Sequence, residues 1–155
     1  MTGKYWQQLK IPQFCERLLV FSVPIEDRVL VVSYEGMHVI DLTDPVTVST
    51  DFDYFEYDCF DPETGLAEYD GEFWSMVGLY PGNPISLSPQ GDELRLDTSQ
   101  QEISVWEGGH RRWLSRFENF SGDWAAATFS PDGNHIVLGC PYDFDFRVWQ
   151  RLGDS

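Results

Sequence analysis

The chain has 155 residues, 42% hydrophobic and 15% aromatic, and its 10 Lys and Arg stand against 26 Asp and Glu for a net charge of −16. This describes one domain with a proper core and excludes a disordered chain. It also disfavours nucleic acid as a partner, because phosphate contacts need cations. A membrane partner is not expected either, since no run approaches the roughly 18 apolar residues of a spanning helix.

Taken in order, residues 4–11 read as a short strand or a helical turn ending at Pro12. The apolar runs 17–23 and 28–34 read as buried strands. Glu35-Gly36 supplies a turn and residues 37–42 a third strand. Thr43-Asp44-Pro45 turns the chain again. Residues 47–60 alternate acids with rings around Thr50 to Tyr54, so a strand there would put acids on one face and rings on the other. Asp61-Pro62-Glu63-Thr64-Gly65 is a turn. Residues 47–60 then read as the outer strand of a first unit with 61–82 as an insertion. The competing registration ends an extra, abbreviated unit at Phe60. Residues 85–106 and 123–149 each read as three short strands joined by tight turns, with an outer strand over 111–120 in which Trp113 or Phe117 covers the sheet beneath.

These last two segments are copies. Ser88-Pro89-Gln90-Gly91 falls on Ser130-Pro131-Asp132-Gly133, 42 positions on, and Trp106 falls on Trp149, 43 positions on. A degenerate copy begins at Phe21-Ser22-Val23-Pro24, with Ile40 in place of the Trp. A period of about 40–45 residues with four strands per unit belongs to propeller blades. Strand, S-P-x-G turn, strand, turn and a strand ending in Val-Trp resemble WD-repeat blades, and Asp143 stands where such repeats carry a structural Asp. The Trp is followed by Glu107 or Gln150 rather than Asp, and Gln100 replaces the turn Asp in the earlier copy.

The resemblance implies an all-β fold of antiparallel, four-stranded propeller-type blades, about three per chain, with an acidic aromatic insertion. Blade 1 covers about 17–60, the insertion 61–82, blade 2 about 84–120, and blade 3 about 124–152 completed by the N-terminal strand 4–11. Three blades fall short of a closed ring. The expected remedy is a two-fold homodimer of six blades, each N-terminal strand completing the partner copy's last blade. An open monomer capped by the acidic segment, and docking onto another propeller, are the alternatives.

No catalytic residue, metal site or cofactor is expected. His38, His110 and His135 have no metal-ligand spacing, and His135, beside Gly133-Asn134, is expected in solvent. Nucleophile and phosphate-loop motifs are absent, and the hydroxyls of Ser88 and Ser130 are expected to bond to local backbone. Cys15, Cys59 and Cys140 are an odd set without C-x-x-C spacing, which reads as reduced thiols and a cytoplasmic protein. No secretory leader is read at the N-terminus.

The acidity is concentrated. From Val29 to Leu94 there are fourteen Asp and Glu and no Lys or Arg. Asp51, Asp53, Tyr54, Glu56, Tyr57, Asp58, Asp61, Glu63, Glu68, Asp70, Glu72 and Trp74 form the candidate partner-binding surface. Rings supply anchors for burial, and like-signed acids speed encounter with a basic partner. The expected function is a non-enzymatic protein-interaction module that binds another protein with a basic surface. The alternative is an inhibitor or immunity protein that neutralises a basic toxin or nuclease.

Overall fold

A computed structural model describes residues 6–43, 45–52, 60–61, 63–69, 71–78, 84–117, 125–140 and 145–152. Within them every regular element is a strand and every pairing is antiparallel. No helix among the described residues is long and apolar enough to cross a membrane.

The first sheet meanders. Strands β2 (Leu18–Ser22), β3 (Arg28–Ser33), β4 (Met37–Asp41) and β5 (Thr47–Asp51) lie in sequence order. The uninterrupted apolar runs of β2 and β3 are buried throughout, as strands covered on both faces must be. At the edge, β5 is only half-buried, in keeping with its Thr and Ser content.

The last sheet has the order β1-β14-β13-β12, built from β1 (Trp6–Gln8), β12 (Ala126–Phe129), β13 (His135–Cys140) and β14 (Asp145–Arg151). Its edge strand β1 comes from the same chain, with Trp6 opposite Arg151 and Gln8 opposite Trp149. Within the single chain, β1 thus supplies the fourth strand of this sheet. The pairing covers an edge of β14 that would otherwise leave backbone groups open.

The middle sheet, β9 (Glu93–Asp97), β10 (Glu102–Glu107) and β11 (His110–Arg116), has three strands. The segment before it is reduced to one bridge, Leu87 to Glu93. Its Ile85 carbonyl instead accepts from Phe129 N–H at 2.8 Å, tying it to β12.

Uniform four-stranded blades are therefore not what forms. The departure is largest in the 61–82 insertion, which folds as β6 (Phe60–Asp61), β7 (Leu66–Tyr69) and β8 (Glu72–Gly78). The first half of β8 pairs with β7. Its second half pairs with β2, Phe21 opposite Val77, and so joins the first sheet. The pattern Trp74, Met76, Val77 gives β8 apolar residues for both neighbours.

The order of the layers follows from three apolar cores. One lies between the first and last sheets, around Phe21, Val31, Val137 and Phe146. A second lies between the last and middle sheets, around Trp6, Trp113, Phe129 and Trp149. A third lies between the first sheet and the β7–β8 hairpin, around Leu30, Met37, Trp74 and Met76. The stack runs hairpin, first sheet, last sheet, middle sheet.

The three units share one device. Ser22, Ser88 and Ser130, all buried, turn their hydroxyls onto backbone N–H groups. Ser22 accepts from Leu30 at 2.8 Å, Ser88 from Asp92 at 3.3 Å and Ser130 from His135 at 3.0 Å. Each hydroxyl holds the turn that ends the first segment of its unit.

Candidate functional site

The insertion brings part of the predicted acidic surface together at the hairpin end of the stack. Alternation along β7 and β8 decides what shows. Ala67, Trp74 and Met76 point into the core, while Leu66, Glu68 and Phe73 point out. Glu68 lies directly opposite Phe73, and Phe73 is 65% exposed. Trp74, 1% exposed, lies beneath this surface rather than on it. Its indole N–H donates to the Tyr69 carbonyl at 3.2 Å, which pins the hairpin tip.

The neighbouring acids are partly committed. Asp61 accepts from Glu63 N–H at 2.9 Å and so builds its own turn, leaving Glu63 exposed. Glu72 pairs with Arg28 at 2.6 Å, and the same guanidinium lies 5.4 Å from the Trp74 ring centre. Asp51 accepts from the Tyr69 hydroxyl at 3.2 Å, which joins the end of β5 to the hairpin. Next to it Phe52 is 66% exposed. Asp53, Tyr54, Glu56, Tyr57, Asp58 and Asp70 lie outside the described residues. The arrangement is a ringed, acidic face with two large exposed aromatics.

Phe73 and Phe52 belong to this face although neither stands in the predicted set. The run Phe73-Trp74 put two rings side by side, and only knowing which one faces the core separates them. The Ala67, Trp74, Met76 alternation was the available signal.

The opposite end of the stack carries Arg95, Arg111, Arg112 and Arg116. On the outer face of the middle sheet, Arg95 stacks over Trp106 at 4.2 Å, and Arg111 lies opposite Trp106 in the register. Trp149, the equivalent of Trp106 in the last unit, is buried against the middle sheet. Trp106 is only half-buried, and among the described residues no further sheet lies over its face. Arg95 and Arg116 are balanced locally by Glu93 and Glu102.

The titratable interior is structural in character. His38 is fully buried, its ring nitrogens 2.7 Å from Ser33 Oγ and 2.9 Å from Thr50 Oγ1. Burial lowers its pKa, opposed by Glu35. The Cys15 thiol is pushed up to about 12, chiefly by burial and next by Glu35. Cys15 and Cys140 are buried free thiols. His135 is not in solvent as expected. It is 4% exposed, because β13 is an interior strand of its sheet and all six of its residues are buried. Asp143 lies outside the described residues. Among the described residues no three His, Cys, Asp or Glu side chains are grouped to hold a metal ion. No protein-family model, no curated protein and no solved structure matches this chain.

Proposed function

We propose that the chain is a non-enzymatic protein-interaction module built on WD-repeat-like blades, whose acidic aromatic end docks a basic partner protein. The observation that carries this reading is Phe73, exposed beside Glu68 and Leu66 on an outward sheet face. Large exposed rings among like charges give a partner both burial and selection of charge sign. The test is capture of proteins from native lysate by the wild-type chain and by Phe73→Ala and Glu68→Lys variants, washed at low and high salt. The proteins held by the wild type are expected to be basic and to be lost from the Phe73→Ala sample. Their equal retention by both variants sinks the reading. An inhibitor of a basic toxin or nuclease would instead lose nearly all binding on charge reversal alone, mainly through slower association with a steep salt dependence.

A second reading, favoured by the uncovered face around Trp106, is end-to-end pairing of two copies into a six-bladed ring. The acidic hairpin of each copy would meet the Arg95 and Arg111 face of the other, repeated twice by one two-fold axis. Light scattering is expected to show a dimer that dissociates as salt rises, and to revert to monomer for Arg111→Glu. A strict monomer at high protein concentration and low salt removes this reading.

A further inference from the structure

A groove of about 450 Å³ lies on the outer face of the middle sheet, with Arg95, Trp106 and Arg111 among its lining residues. The indole of Trp106 is fixed there. Its N–H donates to Ser104 Oγ at 2.9 Å, and Arg95 lies over its ring at 4.2 Å. Glu93 takes part of the edge of that guanidinium, 3.0 Å from Nε and 2.9 Å from Nη2. The Arg95 side chain is still 51% exposed. With one face on Trp106 and part of its edge on Glu93, what remains open is chiefly the other face.

Arg111 is placed by a bulge. The register shifts between Val105 and Trp106, so Trp113 stands opposite Val105 and Arg111 opposite Trp106. Arg111 thereby lines the outer groove, while Arg112, the residue skipped, lines a cleft on the other side with Val105 and Trp6. Arg95, Arg112 and Arg116 each have a glutamate, namely Glu93, Glu107 and Glu102. Arg111 is exposed and has no carboxylate partner among the described residues. The hairpin face has the matching deficit. Glu72 has Arg28, Asp51 has the Tyr69 hydroxyl, and Asp61 has its own turn. Glu68 is exposed and has no cation among the described residues. Directly across the pleat from it stands the exposed ring of Phe73.

One face thus offers a ring beside an unpaired carboxylate, and the other a guanidinium plane beside an unpaired cation. We infer that a second copy of this chain occupies the groove through two contacts: Phe73 of one copy stacks on Arg95 of the other, and Glu68 pairs with Arg111. A guanidinium is weakly hydrated and stacks well on rings, so Arg95 would sit between Phe73 and Trp106. The Glu68 pair sets the sign of charge that is admitted, since a like charge at either position would be repelled. The inference rests on the end-to-end pairing of copies proposed above and adds the contacts that decide which chains pair.

The test is light scattering of the full chain at low salt, with Glu68→Lys and Arg111→Glu prepared singly, mixed, and combined in one chain. Each single variant is expected to dimerise about a hundredfold more weakly than the wild type, because both interfaces exchange an ion pair for a like-charge contact. Mixed in equal amounts, the two are expected to form a heterodimer of near wild-type strength. One interface then keeps Glu68 with Arg111, and the other keeps the pair with its charges exchanged. The chain carrying both substitutions is expected to recover in the same way, which a misfolded variant could not do. Glu26→Lys, an exposed change of equal charge beside the turn cleft, is expected not to weaken dimerisation. Arg95→Lys keeps the charge but loses the plane, and is expected to weaken pairing about fivefold at unchanged salt dependence. A wild-type chain that stays monomeric removes the pairing of copies and this inference with it. A wild-type dimer whose single variants still pair, whose mixed and combined variants stay monomeric, or whose Arg95→Lys variant pairs at full strength overturns the assigned contacts and leaves the pairing of copies standing.

Discussion

Replacing Arg151 with alanine is expected to destabilise the fold by about 3 kcal/mol, read as a drop in the urea midpoint at unchanged slope. Arg151 sits where three elements meet. Its guanidinium reaches the Asp92 carboxylate through two contacts, at 2.9 and 3.0 Å. It donates to the Gly133 carbonyl at 2.9 Å and lies 4.5 Å over the Trp6 ring. One side chain thus joins the turn of the middle sheet, the turn of the last sheet and the strand that edges it. The Gln90 amide adds a second link between the two turns, donating to the Asp132 carbonyl at 2.8 Å. Asp92 is buried, so removing Arg151 leaves a buried charge held only by the Ser88 hydroxyl and a backbone hydrogen bond, and that penalty dominates the loss. Replacing both members by apolar residues of similar volume should cost much less.

The pH dependence gives the same claim a sign. Burial would raise the Asp92 pKa, yet the Arg151 hydrogen bond, the Ser88 hydroxyl and the Arg151 charge together hold it below the ordinary value of 3.8. A carboxylate depressed on folding stabilises the fold above its unfolded pKa, and that share is lost as pH falls through the folded value. The wild type should therefore lose this increment only below about pH 4. In Arg151→Ala, burial is opposed only by the Ser88 hydroxyl and the Asp92 backbone hydrogen bond. The Asp92 pKa should then rise, and the acid limb of the stability curve should flatten or reverse. Denaturation midpoints collected from about pH 2 to neutrality, with Asp92→Asn as the non-titrating control, check this directly.

Gly139→Val is expected to be of similar severity, about 3 kcal/mol, and Gly139→Ala to cost about 1–2 kcal/mol. Gly139 lies within β13, facing the first sheet. A Cβ there would stand 2.7 Å from both Cδ1 and Cε1 of Phe21. Phe21 has no room to yield, being fully buried and edge-on to Phe146 at 6.1 Å. The missing side chain is what lets the first and last sheets approach. Phe21→Leu should recover part of the loss in the Gly139→Ala background, giving a favourable coupling in a double-mutant cycle. Strict additivity of the two substitutions would show that the contact does not govern the spacing.

Much of the local architecture was legible because short-range signals produced it. The apolar runs at 17–23 and 28–34 contain β2 and β3, and the paired serines before the turns are where backbone N–H groups need acceptors. The strands followed from the same runs and their turns, while the antiparallel all-β fold was what the resemblance to WD-repeat blades implied. Long-range pairing was not legible. Nothing in residues 72–78 announces that half of β8 will leave β7 and bond to β2, since one apolar run serves either partner. The burial of His135 was missed for a related reason. Its polar neighbours Gly133 and Asn134 describe the turn, whereas its environment is set by β12, β14 and Asp27, all distant in sequence or on other elements. On the acidic face, composition located the region, but only the pleat showed that Phe73 faces outward and Trp74 does not.

The pairing of Trp6 with Arg151 has a consequence for how the molecule comes into being. Strand β1 is made well before β14, the strand it pairs with. Until then β1 has no strand to bond to, and Trp113 lacks Trp149, the ring edge-on to it at 5.0 Å. Assembly should be late and abrupt, with slow, single-step refolding typical of chains whose contacts span long loops.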